Sequence, residues 1–236
     1  MDWEERYSRQ LMLEQWGEEG QRKLSEARIL LVGVGGLGSP IATYLCAAGV
    51  GCLGLVDADT VSESNLQRQV LYDESQVGQS KVECAKKRLE KLNSNVKVIS
   101  YNCFLDASNA EEIISRYDMV VDGCDNFATR FLLNDTSLKL GKSYIYGSIC
   151  GLTGQVSVFG YPCEDGRIHS YRELYDETEV LSMPHPGKAV FGITPAVTGS
   201  IEAAQALMIS AGLKPSLAGK LWSIDLESMD SFIIEL

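Results

Sequence analysis

The spacing of apolar residues changes several times along the chain, and each change marks an element. Arg28-Ile29-Leu30-Leu31-Val32-Gly33 is a short, continuous apolar run, the kind that fills a strand buried on both faces of a parallel sheet. Cys52-Leu53-Gly54-Leu55-Val56 repeats it. Residues 18–27 are polar with helical spacing, and residues 39–48 read as an apolar helix ending at Gly49. The alternation continues with helices over 81–92, 107–116 and 128–140, and strands over 96–101, 119–122 and 144–149. From Gln155 the pattern becomes Val156-Ser157-Val158-Phe159, which alternates as half-buried antiparallel strands do. Residues 161–188 gather polar residues, Pro and Gly, and predict a long exposed loop. An Ala-rich helix over 195–210 and strands over 221–226 and 232–234 close the chain.

The expected fold class is therefore α/β: a Rossmann-like, mostly parallel sheet extended by antiparallel strands. No repeat or linker interrupts it. The expectation is one domain over 1–236, with a helical N-terminal segment over 1–27.

The first strand runs into Gly33-Val34-Gly35-Gly36-Leu37-Gly38. Gly33, Gly35 and Gly38 match the dinucleotide-binding pattern: a tight turn, close backbone approach to phosphate oxygens, and close packing of helix on strand. The helix behind them offers unpaired N–H groups and partial positive charge to an anion. Asp57, about twenty residues on at a strand end, suits a ribose hydroxyl. These features alone fit any Rossmann nucleotide binder, an NAD-dependent oxidoreductase included.

The residues after Asp57 change the picture. Ser64-Asn65-Leu66-Gln67-Arg68-Gln69 brings amides and a guanidinium, and Lys81 opens the next helix after Gly78-Gln79-Ser80. Hydride transfer has no use for two cations here, whereas a triphosphate losing pyrophosphate does. The competing reading of Arg68 and Lys81 is ordinary surface charge. Asp122-Gly123-Cys124-Asp125-Asn126 ends a strand at the edge that faces the crevice of an open α/β sheet. A carboxylate there suits Mg²⁺ beside phosphates, and equally suits a cap for the helix that comes next.

Composition removes other classes. Net charge is −11, which disfavours nucleic acid as a partner. No apolar run is long enough to span a bilayer, and Met1-Asp2-Trp3-Glu4-Glu5-Arg6 lacks a signal-peptide core, so a cytoplasmic location is expected. Cys46, Cys52, Cys84, Cys103, Cys124, Cys150 and Cys163 form no Cys-x-x-Cys pair and read mainly as buried small residues in a reducing cell. Thr136 stands where a Walker motif ending at Gly141-Lys142-Ser143 needs glycine, and no Gly-x-Ser-x-Gly elbow occurs. His169 and His185 fall in the expected loop without a cysteine pair, so no zinc site is expected.

The ordered set Arg6-Tyr7-Ser8-Arg9-Gln10, the glycine turn, Asp57-Ala58-Asp59, Ser64–Gln69, Gly78–Lys81 and Asp122–Asn126 resembles the ThiF/MoeB/HesA family, bacterial relatives of ubiquitin-activating enzymes. The resemblance implies ATP and Mg²⁺ as cofactors. It implies that Gly36 and its neighbours cradle phosphate, that Asp57 holds the ribose, and that Asn65, Arg68 and Lys81 grip the triphosphate. Ser64, Gln67 and Asn126 would add nucleotide contacts, and Asp125 would coordinate Mg²⁺. Arg9 would reach the ATP site of a second copy, implying a homodimer. The implied reaction is adenylation of the C-terminal Gly-Gly carboxylate of a ubiquitin-like sulfur-carrier protein, for molybdopterin, thiamine or related sulfur transfer. Arg9, Arg68, Lys81 and Asp125 would be its catalytic residues.

Two departures stand out. Where relatives carry zinc-binding Cys-Tyr-x-Cys, this chain has Ser170-Tyr171-Arg172-Glu173, and no second pair precedes Leu236. Where some relatives carry a covalent cysteine, Ser182-Met183-Pro184-His185-Pro186-Gly187-Lys188 has none. With no rhodanese-like extension, sulfur is expected from a separate donor protein, and the enzyme is expected to stop at the acyl-adenylate. Cys124 and Cys150 are expected to be structural. The rival readings are a tRNA-modifying dehydratase of the same superfamily, which the acidic charge disfavours, and a non-catalytic dimeric scaffold, which the intact Arg9, Arg68, Lys81 and Asp125 disfavour.

Overall fold

The computed structural model describes residues 3–183, 187 and 189–236. Five strands run parallel: β1 (Arg28–Val32), β2 (Cys52–Val56), β3 (Lys97–Tyr101), β4 (Met119–Asp122) and β5 (Ser143–Cys150). Three more continue antiparallel: β6 (Thr153–Phe159), β7 (Lys220–Asp225) and β8 (Ser231–Glu235). Their order across one sheet is β3-β2-β1-β4-β5-β6-β7-β8. The helices are α1 (Trp3–Leu11), α2 (Gly17–Glu26), α3 (Gly38–Ala48), α4 (Lys81–Leu92), α5 (Ala110–Ser115), α6 (Phe127–Lys139), α7 (Glu177–Ser182) and α8 (Ile193–Ser210).

The continuous apolar strands are explained by a core on each side of the sheet. Ile29 and Leu31 of β1 join Leu53, Leu55, Val121 and Ile145 beneath α3, α4 and α8. Leu30 and Val32 point the other way, toward Val120, Tyr144 and the α5–α6 side. Successive side chains leave a strand on opposite faces, so a strand covered twice must be apolar at every position. Each such residue, fully buried, contributes roughly 1.5–3 kcal/mol of transfer free energy.

β1 lies between β2 and β4, so the chain's winding direction reverses there and a crevice opens at the carboxyl ends of those strands. The two ends touch. Gly33 has φ +89°, and a Cβ on it would collide with the Gly123 carbonyl. Gly33 N–H donates to Val56 O at 2.8 Å, and Gly123 N–H donates to Val32 O at 2.7 Å. Glycine at 33 is therefore required twice, for a left-handed backbone and for contact with the β4 end.

The segment 161–188 departs from the exposed loop expected of it. Tyr171 is fully buried, with its ring 5.0 Å from Phe131 and 5.1 Å from Tyr146. Ser170 and Glu173 form a reciprocal cap around a short 3-10 turn, and Asp176 caps α7 by accepting from Glu179 N–H at 2.9 Å. Buried Tyr171 and Val180, with Tyr175 against Phe127, draw the segment onto the α6 face. Pro184, His185, Pro186 and Lys188 lie outside the described residues.

Candidate functional site

The glycine turn and β2 are tied by one carboxylate. Asp57 Oδ2 accepts from Val34 N–H, and Oδ1 accepts from Asp59 N–H, both at 2.8 Å. A carboxylate has about four acceptor positions, so capacity remains for hydroxyls. Ser39 N–H donates to Gly35 O at 2.9 Å and starts α3, whose amino end faces the crevice. Gly38 closes the turn, since a Cβ there would strike the Gly33 carbonyl.

Gly35 and Gly36 have a different job. A Cβ on Gly36 would meet Pro195 of α8 at 3.2 Å and Arg68 Cδ at 3.5 Å, and one on Gly35 would meet Gln69 Nε2 at 3.5 Å. The turn, the 64–69 segment and the first turn of α8 therefore converge on a small cradle that a methyl group would fill. Gln69 is buried there with its Oε1 lacking a hydrogen-bond partner. This cradle fits a phosphate, which needs close backbone approach and nearby cations.

The segment after β2 is folded by its own side chains. Asn65 Oδ1 accepts from Ser62 N–H at 3.3 Å, Ser64 and Ser62 hydroxyls lie 3.1 Å apart, and Arg68 Nη1 donates to Ser64 O at 3.0 Å. Gln67 backs onto Gly192, just before α8, where a Cβ would meet Gln67 O at 2.6 Å. Lys81 is not a surface charge. Its side chain is 6% exposed and pairs with Asp59 Oδ2 at 2.9 Å, and Asp59 itself is 59% exposed. A buried ammonium needs such a partner.

At the β4 end the two carboxylates have separate environments. Asp122 is fully buried and accepts from the Tyr144 hydroxyl at 2.6 Å, from Cys124 N–H at 2.8 Å and from Arg130 Nε at 3.3 Å. Asn126, not Asp125, caps α6, accepting from Thr129 N–H at 2.9 Å. Asp125 is left exposed beside the crevice. Burial first, then the Asp122 carboxylate, pushes the Cys124 thiol well above its ordinary range.

One expected site residue lies elsewhere. Arg9 is exposed on α1, whose Tyr7 packs at Gly49 beyond the carboxyl end of α3. The length of α3, about 16 Å at 1.5 Å per residue, separates that end from the glycine turn. Cys163 comes after β6, which runs away from the crevice edge, and it lines a cavity of about 520 Å³ with His169 and Lys214. His169 is buried there, with Nδ1 2.8 Å from Glu173 Oε2. Cys150, expected to pack, is instead exposed, because β5 carries it past the cover of the helices at the crevice edge.

A family profile described as the ThiF family matches residues 7–236. The chain belongs to the ThiF family. Among curated relatives it is 45% identical over 229 residues to a sulfur carrier protein adenylyltransferase of Thermus thermophilus, covering 94% of this chain and 83% of that protein. It is 42% identical to a probable molybdopterin-synthase adenylyltransferase of Porphyra purpurea, covering 91% of this chain and 56% of that protein. It is 41% identical to a probable adenylyltransferase/sulfurtransferase, MoeZ, of Mycobacterium tuberculosis, covering 93% and 57%. This ThiF-family chain thus spans little more than half the length of the last two. Among solved structures, MccB of E. coli with a succinimide superposes with TM-score 0.84 at 22% identity, covering 100% of this chain and 72% of that one. PaaA superposes with TM-score 0.81 at 24% identity, covering 98% and 73%. Both share the ThiF-type fold.

Sequence patterns assign no role to Asp59, Arg130 or Glu202. Asp59 lies inside the Asp57-Ala58-Asp59 motif with nothing to mark it as the partner of Lys81. Arg130 and Glu202 sit on the buried faces of apolar helices, and an isolated charge at a core position is the one signal available.

Proposed function

We propose that this chain uses ATP to adenylate the C-terminal glycine carboxylate of a ubiquitin-like sulfur-carrier protein, giving an acyl-adenylate and pyrophosphate. The observation that carries it is the convergence of the Gly35–Gly36 cradle, Arg68 and the Asp59–Lys81 pair at the crevice of a ThiF-family chain. The 45% identity to a sulfur carrier protein adenylyltransferase gives the carrier class.

In this reading Asp57 takes the ribose hydroxyls with its spare acceptor positions. The turn's N–H groups and Arg68 hold the phosphates, with Ser64, Asn65, Gln67 and Asn126 at the rim. Lys81 turns from Asp59 toward the phosphates when the nucleotide enters. The exposed Asp125 carboxylate suits Mg²⁺, which takes one or two carboxylates and completes its shell with phosphate oxygens and water. Bound there, Mg²⁺ would supply neutralising charge on the phosphates. The carrier carboxylate attacks the α-phosphorus, the bond to the β-phosphate breaks, and the electron pair leaves with pyrophosphate. Positioning and charge stabilisation supply the rate, since a carboxylate is already an adequate nucleophile. Zinc has no part in this reading, and the sulfur comes from a separate donor protein. The work is cytoplasmic, where ATP and a reducing pool keep the thiols free. Among the described residues no helix is long and apolar enough to cross a membrane.

The deciding experiment is ATP–pyrophosphate exchange with candidate carriers, each with and without its terminal glycine. Exchange that depends on an intact carrier tail is expected, and exchange indifferent to the tail would sink the reading.

Arg9 sits on α1, which packs at the end of α3 away from the glycine turn. This supports a reading in which the active form is a homodimer and each copy lends Arg9 to the other. Mixing Arg9→Ala and Asp125→Ala chains should restore part of the exchange activity, because each mixed dimer keeps one intact site. Confirmed subunit exchange without any recovery would remove Arg9 from the site.

A further inference from the structure

Arg130 sits on α6 with its side chain 7% exposed. Its Nε donates to Asp122 Oδ2 at 3.3 Å, and its Nη2 donates to Cys124 O at 2.8 Å and Gly147 O at 3.2 Å. The rings of Phe127 and Tyr146 lie 5.9 and 5.6 Å from the guanidinium carbon. Asp122 accepts in turn from Cys124 N–H and the Tyr144 hydroxyl. Cys124 is thus held at both its N–H and its carbonyl. The next residue is Asp125, and the one after it, Asn126, caps the same helix that carries Arg130. The backbone is fastened on both sides of Asp125, and the fastening reaches across to β5 through Gly147.

Stability alone gives little reason to keep this arrangement. Burying an ion pair costs several kcal/mol of desolvation per ion, and apolar replacements of similar volume are often neutral or better. What an apolar residue could not supply is a rigid fork directed at a loop carboxylate, a loop carbonyl and a strand carbonyl together.

We propose that Arg130 is a positioning residue for the metal–nucleotide site: it fixes the Asp125 carboxylate against β5 and so sets the metal affinity of the ATP-bound enzyme. The inference rests on the assignment of Asp125 to Mg²⁺ under the proposed function. Arg130 is too deeply buried to meet the substrate, so its action passes through the 122–126 loop. Outer residues that orient metal ligands typically alter metal affinity about 10–100-fold when changed.

The test uses full-length protein with Mn²⁺ as a spectroscopic stand-in for Mg²⁺. Arg130→Lys keeps a charge for Asp122 but replaces the fork by a single ammonium. Tyr144→Phe removes only the hydroxyl that steadies Asp122. Paramagnetic resonance titration should show Mn²⁺ bound at least about tenfold more weakly to ATP-loaded Arg130→Lys, with a smaller change in the same direction for Tyr144→Phe. ATP affinity in chelator should stay at the wild-type value in both. Unchanged Mn²⁺ affinity in a folded Arg130→Lys protein would overturn the proposal. So would an equal loss of metal-free ATP affinity, which marks a general structural role. Asp125→Asn, run alongside, separates the two ideas. If it keeps wild-type Mn²⁺ affinity, the metal assignment fails and takes this proposal with it. If it loses Mn²⁺ while Arg130→Lys does not, only the role of Arg130 is overturned.

Discussion

Replacing Lys81 by methionine should lower ATP–pyrophosphate exchange by about 10²–10³-fold, the range expected when one preorganised donor is withdrawn from developing phosphate charge. The geometry makes this a clean experiment. Lys81 is buried with its ammonium on Asp59, whose own carboxylate is more than half exposed. Methionine keeps the stem's packing, and the carboxylate it abandons is solvated by water, not stranded in the core. The thermal midpoint should therefore stay close to wild type while exchange collapses. Exchange within a few-fold of wild type would return Lys81 to a structural role as the partner of Asp59.

Replacing Glu202 by glutamine should stabilise the protein, and by more as pH rises. Glu202 lies on α8, fully buried, with both carboxylate oxygens lacking hydrogen-bond partners. It is packed so closely on Gly147 that a Cβ there would collide with it. The charged groups acting on it are Asp122 and Arg130. Burial first, then Asp122, raises its pKa well above the usual 4.5, against the opposing pull of Arg130. The folded state therefore holds this proton more tightly than the unfolded chain does. Stability from that proton is fully present below about pH 4.5 and is lost as pH climbs toward the folded pKa, at up to about 1.4 kcal/mol per pH unit. Glutamine has the same shape and cannot ionise. Its advantage should be small near pH 4.5 and reach about 1–3 kcal/mol at neutral pH, read as a difference in melting or urea midpoints. Parallel pH profiles for the two proteins would mean that Glu202 finds a hydrogen-bond partner and carries no such penalty.

Much of the fold is legible in the sequence because its signals are local. Lys81–Leu92 and Met119–Asp122 are bounded to the residue, since the switch from amphipathic to continuous apolar spacing is sharp there. The antiparallel extension is legible in the alternation at Val156–Phe159. The half-buried face it suggests is not there, because the strand is covered on both sides and all four residues are buried. The segment 161–188 misleads because its polar, Pro and Gly content outweighs the few residues that pack, Tyr171, Tyr175 and Val180. Yet Ser170 with Glu173 and Asp176 with Glu179 each carry a helix-cap spacing that points to local order. Cys150 misleads for the opposite reason. A strand end looks buried in sequence, and only the length by which β5 outruns its covering helices exposes it.

The sequence by itself determined the alternating parallel architecture and the glycine turn at the end of β1, and it nominated candidate site residues. Each of these comes from residue type and spacing, which act over a few positions. Which of those residues share a site was decided by tertiary structure. Gly33 and Gly123 meet because β1 and β4 are neighbours in the sheet, although they are far apart along the chain. Pro195 closes the cradle because α8 packs on α3, and Lys81 is paired because its helix starts beside Asp59. The division of labour at 122–126, with Asp122 buried, Asn126 capping and Asp125 exposed, is equally invisible in five adjacent polar and small residues. It depends on Arg130 and Tyr144 reaching the loop from a helix and a strand, contacts that exist only once the sheet and its covering helices are assembled.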